Sequence, residues 1–373
     1  MAEAVVALVI VYLLLTAARV TLAATSLRRA ARRTAPARTQ DVTVLVPVRS
    51  GDPLLGRVLA EQAAGLDRAT LVLLVDDDDA DAITTAARVA GGASGAVEVR
   101  RCPPPEPGVN PKVAKLAAAA PGIDGLVAVL DDDTVLPPGA ITRAVDALRG
   151  ADLVTGVPVY REQGGPWARL VAAFVNGSSL LSYLPLARLT PPVSVNGMFV
   201  LTRSAALAQV GGFAAIDDQV CDDYALARGY RRAGLRIAQT TIVHPLTTTV
   251  DGPVAYARLM RRWMLFAAQV VRRDPTPALL ILVVAPTFLP PVALLLALID
   301  GGAMPLVVLA ALVIKALATR WLRGLAPPAP TGAAGPAFEV LADLLSVGHA
   351  LAAVLGPHTV VWRGRRVRVT APR

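Results

Sequence analysis

The chain has 373 residues, 54% of them hydrophobic, and carries 37 Lys and Arg against 28 Asp and Glu, a net charge of +9. A mean hydropathy of +0.53 is too high for an ordinary soluble protein and implies one catalytic-sized domain with membrane segments. No recognisable nucleic-acid-binding motif accompanies the positive charge, which points to anionic lipid headgroups and excludes nucleic acid as the expected partner.

The amino-terminal run Ala4 to Ala18 is uncharged and is followed by Arg28, Arg29, Arg32 and Arg33. A signal peptide carries its positive charges ahead of the apolar run, so residues 1–25 are expected to be an uncleaved transmembrane anchor with the arginines in the cytoplasm.

From Asp41 the chain alternates apolar β-branched runs with alanine-rich amphipathic ones, the pattern of an α/β domain. Strands are expected at Val42–Val48, Thr70–Val75 and Val97–Arg101, with helices at Pro53–Ala64 and Asp81–Ala90 between them. The second strand runs into Asp76, Asp77, Asp78 and Asp79. A loop follows, Pro111 opens a helix to Ala120, and the buried strand Gly125–Leu130 delivers Asp131, Asp132 and Asp133 at its carboxyl end. Ligands of open α/β sheets gather at such ends. Three adjacent carboxylates repel one another unless a cation joins them, and hard divalent ions such as Mg²⁺ or Mn²⁺ take oxygen ligands and bridge to phosphates. A metal-held nucleotide is the reading; a solvated acidic turn is the alternative.

Pro137 and Pro138 begin the next helix, and Leu153–Val159 is a strand. The aromatic-bearing stretch Trp167–Leu189, interrupted by Asn176 to Ser179 and Pro185, suits a lipid-touching surface better than a span. Val195–Leu201 and Leu235–Val243 read as strands flanking a helix at Cys221–Ala233, and Ala255–Arg273 is a basic helix. His244 reads as a packed or solvent-facing histidine and not a catalytic one, and Gly91, Gly92 and Gly95 read as a loop. Cys102 and Cys221, the two cysteines, are expected to be free thiols.

Two further uncharged runs, Pro275–Ile299 and Gly301–Ile314, meet at Asp300, Gly301 and Gly302 and read as a transmembrane hairpin over residues 275–321. Pro286, Pro290 and Pro291 should bend or break its first arm. The second arm needs Lys315 to snorkel or face protein. Ala326–Pro336 reads as a linker. Residues 337–356 include Glu339, Asp343 and His349, which favours a membrane-associated helix over a clean span. A basic tail, residues 357–373, carries Arg363, Arg365, Arg366 and Arg368. The positive-inside bias then places a catalytic domain, residues 41–274, in the cytoplasm of a multi-pass inner-membrane protein.

The order of four signals, namely Asp76–Asp79, Asp131–Asp133, Asp222-Asp223-Tyr224 and Arg261-Arg262-Trp263, resembles family 2 and family 21 glycosyltransferases. The resemblance is to ceramide glucosyltransferases and their bacterial relatives, including hopanoid-modifying enzymes. Gly108 to Lys112, Gly197-Met198 with Arg203, and Trp362 to Arg366 extend it across nearly the whole chain.

The resemblance implies a GT-A nucleotide-sugar-binding (Rossmann-like) domain. It also implies inverting transfer of a hexose or N-acetylhexosamine from a UDP-sugar to a hydroxyl of a membrane lipid. Asp131 and Asp133 resemble the family's metal pair. Asp78 or Asp79 matches the aspartate near uracil and ribose, with the register open by one residue. Lys112, Asp132 and Arg261 are expected at the donor. Asp223 matches the base, with Asp222 where glutamate usually stands, and Arg262 and Trp263 are expected over the diphosphate and acceptor cleft. Leu259 departs from the family's glutamine or arginine three residues before the arginine of its pair. Asp222 and Asp223 as exposed helix residues, and Trp263 as a membrane-interface anchor, are the plainer readings. A processive polysaccharide synthase and a non-catalytic membrane scaffold are the competing functions.

Overall fold

The computed structural model describes the chain except residues 33–40, 67–68, 107, 162–163, 327–334, 357–358, 363–364 and 369–373. Arg33, most of the expected linker, Arg363 and Gly364 lie outside the described residues. The chain divides into two compact units.

One unit (34–158, 192–249 and 367–373) is built on a mixed sheet ordered β3-β2-β1-β4-β6-β5-β7. Its strands are β1 (Val42–Pro47), β2 (Ala69–Asp76), β3 (Val97–Cys102), β4 (Leu126–Leu130), β5 (Leu153–Tyr160), β6 (Phe199–Arg203) and β7 (Ile237–Leu246). β1, β2, β3 and β4 pair in parallel, and β6 runs antiparallel to both β4 and β5.

Side chains alternate across this sheet, and both faces are covered, so the strands read as continuous apolar runs. Val44, Val46, Leu71, Leu73, Ala128 and Leu130 point to one core, shared with α2 (Leu55–Gly65), α3 (Ala80–Gly92) and α5 (Ala140–Ala147). Leu45, Val72, Leu74, Val127 and Val129 point to the other, against α4 (Pro111–Ala119), α8 (Ser204–Gln209) and α9 (Asp222–Arg232). The chain leaves β1 towards β2 and β3 on one side and returns to β4 on the other. The carboxyl ends of β1 and β4 therefore form a topological switch point, where open α/β sheets bind ligands.

Some expected boundaries move. Pro137 and Pro138 precede α5 instead of starting it, and the expected strand Val195–Leu201 is β6, beginning at Phe199. His244 is fully buried against Phe199, and burial pushes its imidazole down to about 3, so it stays neutral. Of the packed and solvent-facing readings, the structure shows the packed one.

The other unit (1–33, 159–191 and 250–366) is helical. It contains α1 (Ala2–Ala31), α6 (Pro166–Asn176), α7 (Ser179–Leu189), α10 (Pro253–Arg273), α11 (Pro277–Leu279), α12 (Ala285–Asp300), α13 (Met304–Gly324) and α14 (Pro336–Leu355). Strands β8 (Thr359–Trp362) and β9 (Arg365–Arg368) pair near its end. Five segments among the described residues are long and apolar enough to cross a membrane: α1, Pro166–Leu189, Pro277–Asp300, α13 and α14. Large apolar side chains such as Leu14, Leu295, Leu298, Leu306 and Leu351 stay exposed, while Val5, Val9, Ala293, Ala297, Val308 and Leu312 form an internal seam. An apolar outer surface of that kind suits a membrane protein.

The prolines do not break the first arm. A π-helical turn, Leu280–Val284, precedes Pro286, and α12 continues through Pro290 and Pro291. Widening the turn accommodates residues that lack a donor. Gly301 and Gly302, at φ 79° and 58°, provide the tight connection to α13. Lys315 faces protein, paired with Asp343 at 2.9 Å, and Arg323 pairs with Glu339 at 2.7 Å. The charges in α14 thus bind it to α13. Trp167–Leu189 is split at Gly177, and 67% of its apolar window is buried within the protein, more than a lipid-touching surface requires.

Candidate active site

The carboxyl ends of β1, β2 and β4 are tied together by charge. Arg49, just beyond β1, places Nη1 3.4 Å from Asp76 Oδ2 and Nε 3.8 Å from Asp79 Oδ2, while its backbone N–H donates to Asp132 Oδ2 at 2.9 Å. Asp76 and Lys115 form an ion pair of 2.5 Å, each with a side chain only 1% exposed, and Lys115 also donates to Val48 O.

Asp78 and Asp79 separate into two roles. Asp79 caps α3 through Ala82 N and accepts from Ser50 N. Burial raises its carboxyl pKa, but these hydrogen bonds and Arg49 outweigh that and hold it below the usual value. Asp78 is exposed, and it takes part in no helix cap among the described residues.

Lys112 is the hub of the site. Asn110 caps α4 by accepting from Lys112 N and Val113 N, and its amide donates to Gln219 O, which fixes where the lysine starts. Lys112 Nζ lies 2.7 Å from Asp131 Oδ1 and 3.4 Å from Asp222 Oδ2, and donates to Gly197 O at 3.0 Å. Burial alone would lower its pKa; Asp131 and Asp222 outweigh that and keep the ammonium charged. Gln62, itself buried, donates to Asp131 O and Thr134 O and so sets the turn that carries the aspartate triplet. Thr134 Oγ1 donates to Asp133 Oδ1, and Thr247 N to Asp133 O.

Asp222 and Asp223 open α9, where carboxylates complement the helix dipole. Asp223 Oδ1 accepts from Tyr224 N at 2.7 Å and from Cys221 Sγ at 3.2 Å. Burial, then the adjacent Asp222, push the Asp223 carboxyl up to about 6. That value suits a general base working near neutral pH. A pocket bordered by Lys112, Gly197, Asp222 and Asp223 has apolar walls from Leu116, Val129, Val200 and Phe213.

Lys112, Asp131, Asp222 and Asp223 are therefore brought together, and Asp79 and Asp132 are joined to the same sheet edge through Arg49 and Ser50. Arg261, Arg262 and Trp263 lie on α10 in the helical unit, where the Trp263 ring stacks with Phe174 and meets Tyr160 edge-on. Sequence reasoning missed Arg49, Lys115 and Cys221. Lys115 stands three residues after Lys112, on the same helix face, and is one of three lysines in the chain.

Among the described residues, no three His, Cys, Asp or Glu side chains form a metal-holding group. The donor chemistry nevertheless fits a hard cation of the Mg²⁺ type, which is bound by one or two carboxylates together with substrate phosphates.

The α/β unit carries carboxylates at its switch point, and the helical unit carries segments long and apolar enough to cross a membrane. The profile described as Glycosyl transferase family 21 matches residues 3–372, and the chain belongs to that family; it is a glycosyltransferase. It is similar to the S. aureus TarS 1–349 structure in complex with UDP-GlcNAc (13% identity, TM-score 0.39, covering 89% of this chain and 97% of that one). It is also similar to glucosyl-3-phosphoglycerate synthase from Mycobacterium tuberculosis in complex with phosphoglyceric acid (18%, 0.40, 66% and 87%). A third likeness is to GalNAc-T7 with UDP, GalNAc and Mn²⁺ (10%, 0.43, 64% and 52%). With TM-scores below 0.5, these likenesses carry no argument; the family match is what places the chain.

Proposed function

We propose that this chain is a membrane-bound, inverting GT-A glycosyltransferase that moves a hexose or N-acetylhexosamine from a UDP-sugar to a hydroxyl of a membrane lipid. Ceramide-like, hopanoid and glycerolipid acceptors are its candidates. The observation that carries the reading is the convergence of Asp131 and Asp222 on Lys112, beside an Asp223 carboxyl raised into the range of a working base.

In this reading Asp223 takes the proton of the acceptor hydroxyl. The freed oxygen bonds to the anomeric carbon as the bond from that carbon to the diphosphate breaks, and UDP leaves. Lys112 offsets the diphosphate charge, Asp132 holds Arg49 beside the donor, and Asp78 takes the nucleoside end. Asp131 and Asp133 would hold Mg²⁺ or Mn²⁺, which neutralises the leaving diphosphate when bound. Arg262 and Trp263 present a guanidinium fork and an indole face to phosphate and to sugar or lipid. The apolar segments α1, Pro277–Asp300, α13 and α14 support residence in a bilayer; in this reading 1–25 is the anchor, 275–321 the hairpin, 337–356 a membrane-associated helix, and 41–274 faces the cytoplasm of the inner membrane.

The test is mass spectrometry of membrane lipids incubated with the purified chain and a panel of UDP-sugars. A lipid gaining one sugar mass, with UDP release dependent on lipid and divalent metal, is expected. Long polymer would favour a processive synthase, and lipid-independent silence across the panel would remove the proposal.

A further inference from the structure

Cys221 is the residue before α9, and its side chain does not cap the helix. It is 5% exposed, and its Sγ lies 3.2 Å from Asp223 Oδ1, the same oxygen that accepts from Tyr224 N at 2.7 Å. Among the described residues, Asp223 Oδ2 accepts no hydrogen bond. It borders Gly197, where a Cβ would lie 3.7 Å from it, and the pocket also bordered by Lys112 and Asp222. The two carboxylate oxygens are therefore unequal: one is held by two donors from its own helix start, and the other is open.

We propose that Cys221 is a positioning residue for Asp223, its thiol holding Oδ1 so that Oδ2 is the oxygen presented to the acceptor hydroxyl. This rests on Asp223 being the base. An ionised carboxylate only accepts hydrogen bonds, so the contact requires the S–H to donate. Burial, then the neighbouring Asp223, raise the Cys221 pKa well above its ordinary value, so the thiol keeps its proton. When Asp223 takes up a proton, the acceptor at Oδ1 weakens and the S–H bond loosens. The thiol thus favours the ionised base. The charged groups facing Asp223 are Asp222 on the same helix, which opposes ionisation, and Lys112 from α4, which favours it and is shared with Asp131 of the β4 end.

The experiment uses the full chain in lipid nanodiscs and compares Cys221→Ala, Cys221→Ser and Asp223→Asn. In Cys221→Ala, the acid limb of kcat/KM should move up by about one pH unit, the scale of one lost hydrogen bond, with kcat reduced. Cys221→Ser, which keeps a donor, should return both towards the parent. Infrared difference spectra of the parent against Cys221→Ser isolate the Cys221 S–H stretch from that of Cys102. That band should shift as pH crosses the limb and stay constant in Asp223→Asn. An unmoved limb in Cys221→Ala with an unresponsive S–H band overturns the positioning role, and with Asp223→Asn inactive the base assignment survives. Full turnover in Asp223→Asn removes both. If Cys221→Ala fails to fold, titration of the S–H band in the parent chain decides.

Discussion

Gly197 stands against Asp223 so closely that a Cβ at position 197 would meet the aspartate Cβ at 2.9 Å. The neighbour is the root of a helical side chain, not a flexible tip, and Gly197 O is fixed by Lys112. Gly197→Ala must therefore displace α9 or the loop before β6. Overpacking of this kind costs about 1–3 kcal/mol, and if the base shifts with it, kcat/KM should fall by about 10- to 100-fold. Initial rates and thermal unfolding of the variant check this; parent kinetics would mean that the close approach has no bearing on the site.

Asp223 links activity and stability to pH with opposite signs. As a base it works ionised, so kcat/KM should fall as pH drops through about 6. Its folded pKa lies above the unfolded carboxylate value. Its stabilising contribution is therefore fully present below the unfolded pKa, near 4, and lost as pH rises through about 6. Asp223→Asn should thus be more stable than the parent at neutral pH, by on the order of 2 kcal/mol, while losing about 10²- to 10⁴-fold in rate. Paired pH–rate and denaturation curves measure both effects, and a destabilised Asn variant at neutral pH would contradict the sign.

Much of the sheet could be read from the sequence because Val42–Pro47, Ala69–Asp76 and Leu126–Leu130 are apolar runs ending in acidic or proline-marked turns. Their strand order could not. The antiparallel insertion of β6 between β4 and β5 depends on long-range pairing, Leu130 with Phe199 and Thr155 with Val200, that local pattern does not encode. The acidic clusters were visible as composition, but their partners were not. Lys115 reads as a polar helix residue until Asp76 is seen opposite it, and Cys221 reads as a free thiol until its Sγ is placed beside Asp223. The prolines near 286 signalled an irregularity, and its form, a π turn ahead of an unbroken helix, depended on the packing around it.

Lys112 has two acidic partners and one backbone acceptor, so Lys112→Met leaves Asp131 and Asp222 facing each other without their shared cation. Both carboxylates are partly exposed, which screens the repulsion, and a loss on the order of 2 kcal/mol is expected. Added Mn²⁺ should raise the unfolding temperature more in Lys112→Met than in the parent, because the metal then meets carboxylates without a competing ammonium. UDP affinity should fall in the same variant. Thermal shift with and without Mn²⁺, and calorimetric UDP binding, read the two effects. A metal response no larger than the parent's would mean that Lys112 does not compete for Asp131.

Arg323 and Glu339 test the helical unit separately from the chemistry. Both side chains are nearly fully buried, at 7% and 1% exposure, and their contact of 2.7 Å joins α13 to α14 next to the Lys315–Asp343 pair. A buried charge that loses its counter-ion is costly among apolar helices, so Glu339→Gln should destabilise the unit by up to about 3–5 kcal/mol, the cost of breaking a buried pair from one side. Replacing both residues, as Arg323→Met with Glu339→Leu, removes both charges of the pair and should recover most of that loss. The double variant also separates a structural pair from a functional one: if it is stable in detergent and retains sugar transfer, the pair only fastens α14, whereas stability without transfer would assign the charges a part in handling the acceptor. Unfolding temperature in detergent micelles, measured beside turnover in nanodiscs, gives both readings from the same preparations. A single variant as stable as the parent would show that the Arg323–Glu339 contact does not hold these helices together.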